Sequence, residues 1–392
     1  MLKRWIIVLA LFLPIVLAED LSPYTSVTAD VKIDGRIFLD YSDSSSNLDY
    51  FDVKLFFLPT DYLYQRVNAF DVSYDPSASL NHEKEVYNLR WNQNSDVLTY
   101  SVNSEVVSNN LFRRIDKEIP FPYNFGDEYE RYLGEREFAD INRDIRDFAN
   151  QLVQGEDDYY EVVFKIAEWT RANIEYDLNT LTEKSVQKSS WVLKNRFGVC
   201  DELTNLFTSM VRSVGIPVKY ISGLAYSDVV GGWSPHAWNE VYFPEIGWLP
   251  FDITFGQYGW IDPGHIKMME GEDAHEPSVE YSWRAHKVAL KDKNFEANAS
   301  LKEKGEKLLP LLNLKTNLLK NNVGEGSYVP VEVIVENLQP FYVSSLVFIA
   351  VAPGNVEDNM RGILLKPYQI KEIYWLLNLN DKLEPGFKYE SA

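Results

Sequence analysis

A single cysteine in 392 residues leaves no partner for an internal disulfide, so the fold must hold without covalent staples. Positive charge is scarce too, with 38 Lys and Arg against 58 Asp and Glu and a net charge of -20. Neutralising phosphates takes clustered basic side chains, so no nucleic-acid partner is expected. Long apolar runs are missing after the first residues, and the stretch Asp40 to Asp52, although acidic, lacks the glycine and closing glutamate of a calcium loop. The one apolar run, Trp5 to Leu17, follows Lys3 and Arg4 and precedes small residues ending at Ala18. That layout predicts a secretory signal over residues 1–18 and a secreted or extracytoplasmic protein. The run is shorter than the roughly 20 residues that span a bilayer, so an uncleaved anchor, with membrane or envelope association, is the second reading.

What remains is a folded, multidomain chain. Hydrophobic residues make up 45% and charged residues 24%, the balance of globular proteins. Its length exceeds one ordinary core of about 100 to 200 residues. Over residues 22–125, β-branched and aromatic runs such as VTADVKIDGRIFLDY and YFDVKLFFLP alternate with turn clusters, which predicts an N-terminal β-sandwich of immunoglobulin-like style. Residues 128–283 change period. FADINRDIRDFANQLV, YYEVVFKIAEWTRANIEY and SVQKSSWVLKNR read as helices, the last ended by Phe197-Gly198. A further helix follows, with Leu203, Leu206, Phe207, Met210, Val211 and Val214 as its apolar stripe and Gly215-Ile216-Pro217 as its stop. VKYISGLAY, HAWNEVYF and WLPFDITF then read as strands, making the middle an α+β domain. Strand signals return over 284–392, a second β-sandwich whose closing LEPGFKYESA resembles the opening of a strand with nothing after it.

Cys200 stands near the start of the predicted helix, where unpaired N–H groups favour a thiolate and supply one oxyanion donor. As a bland alternative, a free cysteine is a small buried hydrophobe. Of five histidines, His82 and His286 fall in the flanking β-regions and His265 and His275 in irregular segments; His236 alone opens a strand just after the cysteine helix. HAWNEVYFPEIGWLPFDITF reads as a hairpin. An odd loop, Phe243 to Gly247, sets Trp238 against Asp252 and His236 against Thr254, so that His236 and Asp252 share a face as diagonal neighbours. A slip of one residue turns Asp252 outward, as a plain polar position. Trp191 and Trp233 are candidates for a second oxyanion donor, and with Trp238 for substrate contact. No cofactor or metal is called for, although Cys200, His236 and Asp252 could alternatively ligate zinc.

RFGVCDELTNLFTSMVRSVGIPVKYISG followed by HAWNEVYFPEIGWLPFDIT resembles the transglutaminase-like core: glycine before cysteine, an apolar helix ending in GIP, His-Ala-Trp, and aspartate in a W-x-x-x-D-x-T setting. The likeness covers about Phe138 to Ile266. It implies a papain-like fold with Cys200 as nucleophile, His236 as base and acid, and Asp252 as the orienting carboxylate. Two departures stand out. Asp201-Glu202 follows the cysteine where the cross-linking enzymes carry an aromatic residue, and the calcium loops of the animal enzymes are not visible. The expected function is thiol-dependent acyl transfer or hydrolysis at a peptide or amide bond of a protein or peptide substrate. The rivals are a silent envelope-binding module and the zinc site.

Overall fold

The computed structural model describes residues 20–379 apart from 84, 179–185, 229, 321, 325, 351–353 and 357. The signal segment 1–18 and the closing LEPGFKYESA lie outside the described residues.

Alternation of buried and exposed residues along Ser26–Tyr41 gives that strand one inward face. It is paired on one side with Val97–Asn109 and on the other with Val288–Lys304, Gln65–Asp75 completing the four-stranded sheet. A second four-stranded sheet runs Val279–His286, Asn47–Leu55, Val86–Trp91, Ser79–Glu83. The two share a core of Val31, Ile33, Phe51, Val53, Trp91 and Val102. The boundary expected at residue 284 is therefore displaced: Val279–His286 and Val288–Lys304 complete the N-terminal sheets. Trp283 stacks on Phe51 at 5.5 Å, and the edge of Ser26–Tyr41 offers its unpaired ladder to the returning chain. Alternation alone does not say which sheet a strand joins.

Between these segments, among the described residues, lie four α-helices and a five-stranded sheet. Helix α1 is Arg143–Leu152, started by the Asn142 side chain accepting from the Ile145 N–H at 2.9 Å. Helix α2 is Tyr159–Asn173, and α3 is Ser189–Asn195. Arg196, with φ 69°, ends α3 in the left-handed region; Phe197-Gly198, expected to make that turn, instead forms a short strand parallel to Glu175–Tyr176. Helix α4 is Cys200–Ser213, and Gly215 with φ +84° follows it. Leu203, Leu206, Phe207, Met210 and Val211 of α4 pack with Val241, Phe243, Leu249 and Phe251 of the sheet. That sheet is antiparallel, in the order Gln257–Tyr258, Gly247–Asp252, Gly232–Phe243, Val218–Ser227, His265–Gly271. Leu224, Ile266 and Met268 belong to the sandwich core, which ties sheet and sandwich together.

Further along, Leu312–Leu318, Tyr328–Asn337, Ile370–Leu379 and Gly354–Val356 form a sheet, and Val343–Phe348 pairs with Met360–Leu365. Their shared core includes Val335, Leu365 and Trp375. This unit is pinned to the middle of the chain by polar contacts. Tyr342 donates its hydroxyl to Asp158 at 2.5 Å, Ser344 to the Tyr258 carbonyl at 2.5 Å, and the Gly362 N–H to Glu168 at 2.7 Å. Among the described residues no helix is long and apolar enough to cross a membrane.

Candidate functional site

Cys200 is the first residue of α4 and is partly exposed. A Cβ on Gly198 would lie 2.5 Å from Glu202 Cβ, so only glycine admits the glutamate that folds back over the helix start. Glu202 accepts the Val199 N–H at 3.1 Å and the Gln187 N–H at 2.9 Å, using its charge to satisfy backbone donors. Asp201 accepts the Tyr220 hydroxyl at 2.6 Å. The two carboxylates that follow the thiol are thus both engaged by other groups. That accounts for acidic residues being tolerated there.

The hairpin carries the second and third groups. Phe243 pairs with Gly247, Val241 with Leu249 and Asn239 with Phe251, around a turn in which Glu245 has φ 66°. Continued one residue further, this register sets Trp238 opposite Asp252, as the odd loop requires. His236 Nε2 lies 2.6 Å from Asp252 Oδ2. Cys200 lies near enough to His236 to act on the ring's charge. With Nε2 turned to Asp252, Nδ1 is the nitrogen left for sulfur. Burial would push the His236 imidazole down, but the Asp252 charge outweighs it and pushes it up to about 10. Burial would likewise raise Asp252, yet the charge of His236 and the hydrogen bonds of both histidines hold it well below the usual carboxylate range.

A fourth group was missed. His265 opens the strand His265–Gly271 instead of lying in an irregular segment, and it is fully buried. Its Nε2 is 3.0 Å from Asp252 Oδ2 and its Nδ1 is 3.0 Å from Asp262 Oδ1. Tyr176 was missed as well: its hydroxyl lies beside Cys200 and feels its charge. Burial, then the Cys200 charge, pushes that phenol up, so it stays a protonated donor. Neither residue carries a local sequence signal, because each reaches the site from a separate strand.

The tryptophans have other contacts to account for. The Trp233 indole N–H is committed to the Gly264 carbonyl at 2.9 Å, and Trp191 packs against the helical core with its ring edge-on to Phe197 at 5.0 Å. Trp238 has no exposed surface and lies behind the histidines, stacked on His236 at 6.2 Å and edge-on to His265 at 5.3 Å. A side chain so enclosed cannot touch a substrate; it packs against the His236 ring instead.

A zinc site from Cys200, His236 and Asp252 does not match this layout, since sulfur and carboxylate take different nitrogens of one imidazole. Among the described residues, the side chains whose donor atoms converge, within 4.8 Å of one another, are His236, Asp252 and His265. Those atoms are already joined by direct hydrogen bonds.

Residues 146–253 match the model of the transglutaminase-like superfamily. The chain carries a transglutaminase-like core. A Bacillus subtilis (strain 168) relative, the uncharacterized protein YebA, is 24% identical over 196 residues, 45% of this chain and 25% of that protein. The match thus spans about a quarter of the relative's length. Among solved structures, a "Putative Cysteine Protease" from Cytophaga hutchinsonii is 16% identical with a TM-score of 0.53, covering 73% of this chain and 95% of that one. At that identity the likeness speaks to fold alone, and it extends well past the transglutaminase-like core. The periplasmic domain of TgpA from Pseudomonas aeruginosa, 15% identical over 60% of this chain and 90% of that one, has a TM-score of 0.29, too low to carry an argument.

Proposed function

We propose that the chain is a cysteine-dependent acyl-transfer enzyme acting on peptide or amide bonds, built on a papain-like core with immunoglobulin-like flanks. The observation that carries this reading is the line of Cys200, His236 and Asp252, with 2.6 Å between ring and carboxylate and the thiol partly exposed at a helix start. Sulfur attacks the carbonyl carbon, the C–N bond breaks, and His236 passes its proton to the departing amine, leaving a thioester. Asp252 keeps the ring oriented and balances the imidazolium charge. The Cys200 N–H and the Tyr176 hydroxyl are the two donors proposed for the oxyanion, replacing the tryptophans. Water then resolves the thioester with His236 as base; among the described residues nothing marks an amine pocket, and hydrolysis is the favoured outcome.

The same proposal puts the activity outside the cytoplasm, on a protein or peptide substrate and with membrane or envelope association, a reading supported by the apolar run Trp5 to Leu17 and the net charge of -20. A silent binding module would have no use for the aligned thiol, imidazole and carboxylate. The test is acyl capture. Incubation with 4-nitrophenyl acetate should add one acetyl group to Cys200 and release nitrophenolate in a burst, with both much slower in His236→Ala. Equal acetylation of the two proteins would reject the reading.

A further inference from the structure

Asp252 serves two imidazoles. Its Oδ2 faces His236 Nε2 at 2.6 Å and His265 Nε2 at 3.0 Å, while Oδ1 accepts the Phe255 N–H at 2.8 Å. Asp262 is equally occupied: Oδ1 meets His265 Nδ1 at 3.0 Å and the Gly264 N–H at 2.7 Å, and Oδ2 accepts from Gln257 Nε2. Gln257 Oε1 in turn accepts the Asp262 N–H at 3.0 Å, which fixes the amide's orientation. Every oxygen of the two carboxylates thus receives a donor. With a carboxylate oxygen on each ring nitrogen, His265 has to donate from both, which only the imidazolium can do. The ring is held from several sides: Ser108 of the N-terminal sandwich donates to the His265 carbonyl at 2.7 Å, and Trp238 and Phe255 each pack their rings 5.3 Å away.

We propose that His265, clamped by Asp262, is a positioning residue of the acyl-transfer site: it fixes Asp252 and, through its positive charge, tempers the carboxylate's hold on the His236 proton. The inference rests on the reading of His236 as the base for Cys200. An unshared buried aspartate would keep the His236 proton too firmly for it to be delivered to a leaving amine. A second cation on the same oxygen weakens that grip, as the optimum of a general acid near the working pH requires. The charged and titratable groups facing the pair are Asp252, Asp262 and Cys200, with Tyr176 beyond the thiol.

The test uses iodoacetamide on the whole protein, whose one cysteine makes every thiol alkylation, read by peptide mass, that of Cys200. The rate–pH profile should show an alkaline step where His236 loses its proton. The ring centroids of His236 and His265 are 5.9 Å apart, so removing the His265 charge should move that step up by about 0.5 to 2 pH units, the range between water-like and protein-like screening. His265→Gln removes the charge outright. Asp262→Asn removes the group that maintains it while leaving an N–H for Asp252. Both should shift the step upward, and an unmoved or lowered step in folded variants overturns the proposal. If neither variant folds, imidazole ¹⁵N spectra of the unmutated protein decide: both His265 nitrogens protonated through pH 8 support it, and a single-nitrogen tautomer refutes it. Undiminished labelling at pH 7 in His236→Ala would sink the acyl-transfer reading itself, and the state of His265 would still be readable.

Discussion

Asp252→Asn should change the slope of stability against pH as well as its level. Asp252 is fully buried and receives donors from His236, His265 and the Phe255 N–H. An amide placed there keeps one acceptor but turns an NH₂ toward two ring N–H groups, and His236 loses its carboxylate. Removing one partner of a buried charged pair costs about 3–5 kcal/mol. The pH dependence follows from the imidazoles. Both histidines are pushed up to about 10 in the folded protein, so their stabilisation is complete below the unfolded value near 6.5 and is lost as pH rises toward 10. Each contributes a decline of about 1.4 kcal/mol per pH unit in that window. In the variant, burial leaves His236 neutral and its share of the decline vanishes, while His265 retains Asp262. The gap between the two proteins should therefore narrow by about 1.4 kcal/mol for each pH unit from 7 to 9. Urea unfolding followed by tryptophan fluorescence at pH 7, 8 and 9 measures it. A gap that stays constant would show that His236 does not hold a proton against Asp252, and would refute the electrostatic account.

Other perturbations separate the remaining parts. Tyr176→Phe, at a residue 45% exposed, should leave unfolding unchanged while lowering acyl-enzyme formation by about 10²–10³-fold in a burst assay. Gly198→Ala sets a methyl 2.5 Å from Glu202 Cβ, and displacing that glutamate from the helix start should cost about 1–3 kcal/mol in urea unfolding. Glu240→Gln deprives the buried Lys267 ammonium of contacts at 3.2 and 3.3 Å, leaving Glu270 as its carboxylate, and should lower stability by about 3–5 kcal/mol without changing Cys200 alkylation.

Much of the middle of the chain was legible because its signals are local. The α4 stripe from Leu203 to Val211 repeats at helical spacing, Gly215 punctuates it, and the three-residue turn after Phe243 fixes a register that carries His236 and Asp252 to one face. What stayed hidden is what sheet order decides. His265 is separated from the His236 strand by Val218–Ser227, and its partner Asp262 lies in the turn just before it. Nothing in the spacing of HIKMMEG distinguishes a buried charged histidine from a loop residue. Tyr176 joins Cys200 because a two-residue strand runs parallel to Phe197–Gly198, a pairing too short to leave a pattern. Val288–Lys304 alternates as any sandwich strand does, and only the open edge of Ser26–Tyr41 determines where it goes. Trp238 illustrates the converse: its closeness to His236 in sequence suggested substrate contact, whereas strand alternation and packing bury it.

The most direct measurement is the rate of Cys200 alkylation by iodoacetamide at pH 7 in the native protein and in His236→Ala. An ordinary thiol near pKa 8.5 is only a few per cent ionised at that pH, so an imidazole that takes the sulfur's proton should make the native protein react about tenfold faster. Equal and slow labelling of the two, in folded protein, would mean that the ring does not act on the sulfur.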